Sequence, residues 1–347
     1  MSSSDQTFRG TRRPLRALVG AAALIAVLAG TAGCGSSQAS TDGRDGGTVT
    51  LRIPDPGNEG VLARGKKDGS LDTALSTVGA RVAWTGSAGP FAPAAQAINA
   101  NQLDVALGSI TSAVGALATS PGFTLFAAAQ PDPVGEGILV RADSPIRGVA
   151  DLAGRKVAVN QGGTGEYLLL RALATAGVPA DRVQRVYLRP DQSAPAFDSG
   201  QVDAWASWST YVVSALAGGA RMLVDGRTLG SDNATVWAVR SAFAREHPEV
   251  VRALYTYLHD SSVAYRQNPE PYVNVFTDAG PQSVNGRAKE ITLDFARQGS
   301  PVEPIGPDLL RRFDAVAQFF VDAGVTKQKV DVGAHVLDVA TLPGSRP

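Results

Sequence analysis

Short apolar segments alternate with helical patterns along most of the chain, and this alternation limits the fold more than any other feature. Apolar and polar residues alternate over 48–53, which predicts a strand ending at the Pro- and Gly-rich turn 54–57. Further strands are predicted over 155–160, 183–188 and 236–239, and a helix over 166–176. Strands that alternate with helices in this way predict an α/β fold.

Two longer helices are predicted in the C-terminal third, and each begins at a proline. One begins at Pro248 and ends before Pro269; the other begins at Pro307 and ends at Gly324. Proline suits the first helical position because the N–H that it lacks would have no partner there. Apolar residues recur at helical spacing in both segments, so we expect each helix to bury one face.

The N-terminal residues have the composition of an export signal. A basic start is followed by an apolar stretch over 17–29, which is too short for a stable membrane span. Small residues then precede Cys34, the only cysteine in the chain. We therefore predict a lipoprotein signal peptide over 1–33, a lipid on Cys34, and a flexible Gly/Ser-rich tether over 34–47. The arginine-rich start leaves both general and twin-arginine export open. The mature protein is expected on the extracytoplasmic face of the cell membrane.

Composition excludes several functional classes. The chain has 32 Lys and Arg against 32 Asp and Glu, so no basic excess is present to hold nucleic acid. Its 3 His and 1 Cys show no spacing that would bind a metal. We expect neither a metal nor an organic cofactor.

Three predicted strand-to-helix junctions, at 85–90, 108–112 and 162–165, are rich in glycine and hydroxyl residues. Each junction would present free backbone N–H groups and a hydroxyl at a helix start, which together bind an anion without a charged side chain. Ligands of open α/β sheets bind beyond the carboxyl ends of the strands, so a shared cleft is expected there. The candidate anion-binding residues are Ser87, Gly89, Ser109, Gly163 and Thr164.

Two tryptophans are candidates for contact with the organic part of a ligand. Trp205 and Trp208 are three residues apart, and on a helix or tight turn they would share one side. A buried core pair is the alternative. Glu136 and Asn233 are further candidates at the edge of the cleft, although Glu136 could equally form a structural salt bridge.

Several segments share their order and spacing with one family of binding proteins. They include Val82-Ala83-Trp84-Thr85, Leu103-Asp104-Val105-Ala106, Gly135-Glu136-Gly137-Ile138-Leu139-Val140, Val202-Asp203-Ala204-Trp205 and His247-Pro248-Glu249. With these segments the chain resembles the periplasmic substrate-binding proteins of ABC importers for aliphatic sulfonates, taurine and nitrate. The resemblance is strongest to the sulfonate binders.

The resemblance implies a two-lobed periplasmic-binding-protein fold, type II-like, with two crossovers and a ligand cleft between the lobes. Lobe 1 would hold 48–138 and 240–347, and lobe 2 would hold 139–239. The hinge would lie at Ile138–Val140 and Val236–Arg240. The implied partners are a small organic anion, an ABC permease and its ATPase, and the protein is expected to be a monomer.

One departure from the family pattern leaves the ligand open. Ser209-Thr210 stand where the family has Asp-Pro after the tryptophan that Trp208 matches. Nitrate, a thiamine precursor or another heterocycle is therefore the alternative to a sulfonate. A desulfinase-like enzyme is a further alternative, but it needs a cleft Cys or His, and the candidate loops contain neither. We predict a protein that is not an enzyme.

Overall fold

The computed structural model of the protein describes residues 47–119, 121–132 and 134–343. The expected signal peptide, the lipid site at Cys34 and nearly all of the tether lie outside the described residues. In the described part of the chain, no helix is both long and apolar enough to cross a membrane.

The described residues contain both strands and helices along their whole length. The strands are β1 (Val49–Asp55), β2 (Ala80–Ser87), β3 (Val105–Ser109), β4 (Phe123–Ala129), β5 (Glu136–Val140), β6 (Lys156–Val159), β7 (Gln184–Tyr187), β8 (Ala204–Trp208), β9 (Arg221–Asp225) and β10 (Thr235–Arg240). The helices are α1 (Gly60–Asp68), α2 (Ser70–Ser76), α3 (Phe91–Asn99), α4 (Ile110–Leu117), α5 (Thr164–Thr175), α6 (Pro190–Asp198), α7 (Ser209–Ala217), α8 (Gly226–Leu229), α9 (Ser241–Glu246), α10 (Pro248–Gln267), α11 (Gly286–Gln298) and α12 (Pro307–Asp322). Short 3₁₀ helices lie at Val149–Leu152, Ala180–Arg182, Glu270–Tyr272, Gly333–His335 and Val339–Thr341.

These strands pair into three hydrogen-bonded groups. A mixed five-stranded sheet has the order β7-β6-β8-β5-β9, an antiparallel sheet has the order β3-β10-β4, and β1 pairs with β2 in parallel. The β1-β2 pair is joined to β3 by Asp104, whose N–H donates to the Arg52 carbonyl at 3.0 Å. The Asp104 carboxylate, only 1% exposed, accepts from Arg52 and Arg240 at 2.7 and 2.8 Å. Burial raises the pKa of Asp104, but the hydrogen bonds from the two arginines outweigh it and hold that pKa below its usual range.

One apolar core extends across two of these groups. It includes Leu125 and Val236 from the antiparallel sheet together with Ile138 and Val157 from the five-stranded sheet. Helices α4, α5 and α12 contribute their apolar faces to the same core. The region where the sheets approach each other is therefore tightly packed.

The chain passes between the antiparallel and five-stranded sheets twice, first between β4 and β5 and then over 230–234. The expected hinge segments Ile138–Val140 and Val236–Arg240 instead lie inside β5 and β10, where both neighbours hydrogen-bond them. A paired central strand cannot bend freely, so the passages lie before these strands. The division into two moving lobes stays a prediction.

Most of the elements predicted from periodicity are present. The four predicted strands are β1, β6, β7 and β10, with ends that differ by one or two residues. The predicted helices are α5, α10 and α12, and the last two begin at Pro248 and Pro307 as expected.

Candidate functional site

Two helix starts from different sheets bring their hydroxyl groups together. Ser109 is the last residue of β3 and caps α4, where its Oγ accepts from the Ser112 N–H at 3.3 Å. Thr164 is the first residue of α5, and its hydroxyl donates to Ser109 Oγ at 3.0 Å. Thr111 Oγ1 lies 2.9 Å from Ser109 Oγ and 3.3 Å from Thr164 Oγ1. We call Ser109, Thr111, Ser112 and Thr164 the hydroxyl cluster.

The side-chain amide of Asn233 joins this cluster to the second passage of the chain between the sheets. Its Oδ1 accepts from the Thr111 hydroxyl at 2.9 Å and from the Thr111 N–H at 3.4 Å. Its Nδ2 donates to Thr164 Oγ1 at 3.2 Å and to Glu136 Oε2 at 2.6 Å. All four of these residues are buried, and the expected place of Glu136 and Asn233 at the edge of a ligand cleft stays a prediction.

Glu136 is a buried carboxyl group at the start of β5. Its second oxygen, Oε1, accepts from the Ser231 hydroxyl. Burial, and to a smaller extent the nearby Asp132, raise the pKa of Glu136 to about 8, although the hydrogen bonds from Ser231 and Asn233 oppose this effect. Glu136 therefore carries a proton at neutral pH, and it forms no salt bridge with another described residue.

The loop between β6 and α5 is held by two further polar residues. Glu166 Oε2 accepts from the Gly162 N–H at 2.8 Å, and Asn160 Oδ1 accepts from the Gly165 N–H at 2.7 Å. Gly163 is buried at the start of α5, beside the hydroxyl cluster. Gly163 and Thr164 stand together at one helix start, and their contact with an anion stays a prediction.

Ser87 and Gly89 belong to the first of the three predicted junctions, and both are exposed. Ser87 is the last residue of β2 and pairs with Asp55 of β1, and Gly89 lies in the loop between β2 and α3. Within the described ranges, no hydrogen bond joins this loop to the hydroxyl cluster. Their contact with a ligand stays a prediction.

The expected arrangement of the two tryptophans is wrong, because both lie on strand β8 and not on a helix or tight turn. Both rings nevertheless contact Tyr211 of α7, with centroid distances of 6.0 Å from Trp205 and 5.7 Å from Trp208. Trp205 is 3% exposed and packs in the apolar core, with its ring 6.0 Å from that of Phe197. Trp208 is half-buried, with its ring edge-on to Tyr211 at 5.7 Å. Trp208 keeps an accessible surface that Trp205 lacks.

Sequence reasoning missed several polar and apolar residues near the cluster. Thr111 and Ser112 were visible in the hydroxyl-rich junction, but Ser231 carries no such signal. Tyr187 donates its hydroxyl to Glu166 Oε1 at 2.6 Å while its side chain remains 46% exposed. Leu107, two residues before Ser109, is 45% exposed. These two side chains are exposed, Leu107 on the strand that leads to Ser109 and Tyr187 in contact with Glu166 of α5.

An open groove of about 430 Å³ lies beside the second passage and is a competing candidate. Its lining includes Asp232, Asp308, Arg311 and Arg312. Arg312 donates to Asp232 at 2.9 Å, and Arg311 pairs with Asp308. Because these charges pair with each other, the groove offers an anion less than the hydroxyl cluster does.

Solved structures with this architecture have the periplasmic-binding-protein fold, and the present chain shares that fold. The fold and the polar cluster between its sheets define a solute-binding protein. More narrowly, the chain belongs to the NMT1/THI5-like family, whose model matches residues 88–271, more than half of the chain.

Three relatives illustrate the range of similar proteins. The alkanesulfonate-binding protein SsuA from Xanthomonas axonopodis pv. citri, bound to MOPS, is similar with a TM-score of 0.74 at 25% identity, covering 84% of this chain and 98% of that one. A putative aliphatic sulfonates-binding protein of Escherichia coli is 28% identical over 72% of this chain and 78% of that protein. A 2'-hydroxybiphenyl-2-sulfinate desulfinase of Rhodococcus erythropolis is 26% identical over 61% of this chain and 72% of the enzyme. Binding proteins and an enzyme thus occur among similar chains.

Proposed function

We propose that this protein is the solute-binding component of an ABC importer and that it captures a small organic anion, an aliphatic or aryl sulfonate. This proposal rests on the 3.0 Å contact between the Ser109 and Thr164 hydroxyls. The two residues stand at the starts of helices that follow strands of different sheets. A sulfonate has three oxygens that accept hydrogen bonds, and helix starts favour negative charge. The similarity to sulfonate-binding proteins supports this ligand class.

The organic part of the ligand would contact the accessible apolar surface around the cluster. The candidates for that surface are the exposed Leu107 and Tyr187 and the half-buried Trp208. Pockets for small molecules combine apolar walls with a few well-placed polar groups, and this arrangement has both. Trp208 is also a natural fluorescent reporter of binding.

Titration of the purified full-length protein tests this function. MOPS and methanesulfonate should bind and change the tryptophan fluorescence, whereas nitrate and taurine test the other ligands of the family. Ser109→Ala should weaken sulfonate binding about ten-fold or more through loss of a hydrogen bond to a charged group. Ser76→Ala, at an exposed hydroxyl in α2, is the matched control and should bind normally. Failure of every sulfonate to bind the wild-type protein would contradict the proposal.

We also propose that the protein acts as a monomer, tied to the extracytoplasmic face of the cell membrane through a lipid on Cys34. The tether over 34–47 would keep the binding domain close to its permease and raise its local concentration there. Cys34→Ser should move the protein from the membrane fraction to the soluble fraction. An unchanged distribution would contradict the anchor.

The same geometry supports a protein that binds its ligand without converting it. A desulfinase-type reaction needs a nucleophile or base, and the hydroxyl cluster lacks both Cys and His. Two of the histidines pack elsewhere: His247 against Phe243, and His259 with its Nδ1 2.8 Å from the Val302 carbonyl. We therefore expect no product from 2'-hydroxybiphenyl-2-sulfinate, and detection of sulfite release would overturn this part of the proposal.

A further inference from the structure

Hydroxyl groups can donate or accept, so a cluster made of hydroxyls binds an anion only if its hydrogens point toward the ligand. Ser109 and Ser112 are the half-buried members of the cluster, while Thr111 and Thr164 are fully buried. An anion reaching the cluster from solvent therefore meets Ser109 and Ser112 first. Anion binding therefore depends on the direction in which the hydroxyl hydrogens of Ser109 and Ser112 point.

The direction follows from the buried end of the network. Asn233 donates from Nδ2 to Thr164 Oγ1, so Thr164 accepts there and its own hydrogen is free for Ser109 Oγ. Ser109 thus accepts from Thr164 and keeps its own hydrogen to donate. The hydrogen of Thr111 is used by Asn233 Oδ1, so Thr111 Oγ1 at 2.9 Å and Ser112 Oγ at 3.1 Å are the neighbouring acceptors for the Ser109 hydrogen. The directions of the Thr111 and Thr164 hydroxyls are therefore set at Asn233, and an anion at the accessible end would compete with these two oxygens for the Ser109 hydrogen.

Two contacts fix the orientation of the Asn233 amide. The Thr111 N–H can only donate, so the atom facing it is Oδ1. On the other side, Glu136 Oε2 accepts from Nδ2 at 2.6 Å, the shortest contact that this amide makes. A rotated amide would place its oxygen against Glu136 Oε2 and leave the Thr111 N–H facing a donor.

We propose that Glu136 is a positioning residue for anion capture: it holds the Asn233 amide in the orientation that makes Ser109 a hydrogen donor at the accessible end of the hydroxyl cluster. This inference rests on the proposed function. It gives the buried carboxyl group a role without contact to the ligand.

The surroundings of Glu136 make this role sensitive to its charge. Asp132 lies near it in the first passage, Tyr167 of α5 faces it, and Ser231 and Asn233 contact it from the second passage. Arg171 lies beyond Tyr167, over the ring at 6.0 Å, and donates to the Leu229 and Gly230 carbonyls. Arg312 pairs with Asp232.

Protonation of Glu136 leaves the donor and acceptor roles of Asn233, Thr164 and Ser109 unchanged. The neutral acid carries its hydrogen on Oε1, because Oε2 faces the Asn233 donor; in that form Oε1 donates to Ser231 Oγ, and only the ionised form accepts from the Ser231 hydroxyl. Ionisation keeps both contacts but adds a buried negative charge three hydrogen bonds from Ser109. Anion binding should therefore weaken as the pH rises above the pKa of Glu136, which is about 8.

Calorimetric titration of the full-length protein with MOPS tests the role. Glu136→Met removes the acceptor at similar volume and should cost about ten-fold or more in affinity. Glu136→Gln restores an acceptor toward Asn233 and a donor toward Ser231, so it should recover most of that loss. Asn233→Asp reverses the first donor and should also cost about ten-fold or more, whereas Asn268→Asp, at an exposed site after α10, is the control for added charge.

The pH profile separates positioning from mere packing. Wild-type affinity should fall on the order of ten-fold between about pH 7 and pH 9.5, by repulsion across the network, while Glu136→Gln should show no such fall. Parallel pH profiles for the two proteins would overturn the inference, as would wild-type affinity in Glu136→Met.

A measurement without ligand keeps this inference distinct from the proposed function. In ¹⁵N-labelled protein, the Asn233 side-chain amide pair is identified by its loss in Asn233→Asp. It should exchange slowly, shift with pH as Glu136 ionises, and stay fixed in Glu136→Gln. A rapidly exchanging or pH-independent pair overturns the inference even if sulfonates bind; failure of MOPS and methanesulfonate to bind while the pair behaves as expected refutes only the proposed function.

Discussion

Replacing Glu136 with glutamine should change how the stability of the protein depends on pH. The folded protein holds this carboxyl group at a pKa of about 8, against an ordinary value of 4.5. Burial is the main cause, because the ionised form loses its hydration. A glutamine has nearly the same shape and cannot ionise.

The size of the effect follows from the two pKa values. Below about pH 4.5 both the folded and the unfolded chain carry the proton, and the group has no pH-dependent effect. Between about pH 4.5 and 8 only the folded state keeps the proton, so the free energy of unfolding falls by about 1.4 kcal/mol for each pH unit. Above about pH 8 both states are ionised and the loss levels off near 5 kcal/mol, as an order of magnitude.

Urea unfolding at a series of pH values provides the test. The difference in unfolding free energy between Glu136→Gln and wild type should grow from about pH 5 and level off beyond about pH 8. Taking the difference cancels the titration of all other groups. Parallel curves for the two proteins would refute the argument that Glu136 is protonated in the folded state at neutral pH.

Three further changes test other parts of the structure. Asp104→Ala leaves Arg52 and Arg240 without their shared partner and should lower the unfolding free energy by about 3–5 kcal/mol, while Asp314→Ala, at an exposed pair, should change it by less than about 0.5 kcal/mol. Gly165→Ala places a Cβ 2.5 Å from the Ala206 carbonyl oxygen and should lower the melting temperature, whereas Gly306→Ala, with open space around it, should not. Thr164→Val keeps the shape but removes the donor to Ser109, so titration should show about ten-fold weaker sulfonate binding; because Asn233 Nδ2 also loses its acceptor, the unfolding free energy should fall by about 1–3 kcal/mol, and equal affinity would contradict the role of the cluster.

Local sequence patterns predicted the elements whose signals are local. Pro248 and Pro307 mark helix starts through their own covalent geometry, and the helix that begins at Thr164 shows its periodicity within a dozen residues. The two helix starts at Ser109 and Thr164 were also readable, because glycine and hydroxyl residues favour such junctions in any context.

Contacts between residues that are distant in the chain could not be predicted from the sequence. Glu136 and Asn233 are 97 positions apart, and nothing in either neighbourhood shows that one amide joins them. The prediction for Trp205 and Trp208 was wrong for another reason. The segment Ala204–Trp208 is too short for its periodicity to distinguish a strand from a turn. Its pairing with β5 and β6 makes it a strand. The charge state of Glu136 likewise depends on burial that only the folded chain creates.

The position of β10 has a consequence for how the chain acquires its structure. This strand is inserted between β3 and β4, although β4 ends at Ala129 and β10 begins only at Thr235. During synthesis, β3 and β4 keep unpaired edges until more than a hundred further residues have been added to the chain. Such distant pairing slows folding and exposes edges to other chains. A chain cut short before Thr235 should accordingly aggregate rather than settle into a smaller stable unit.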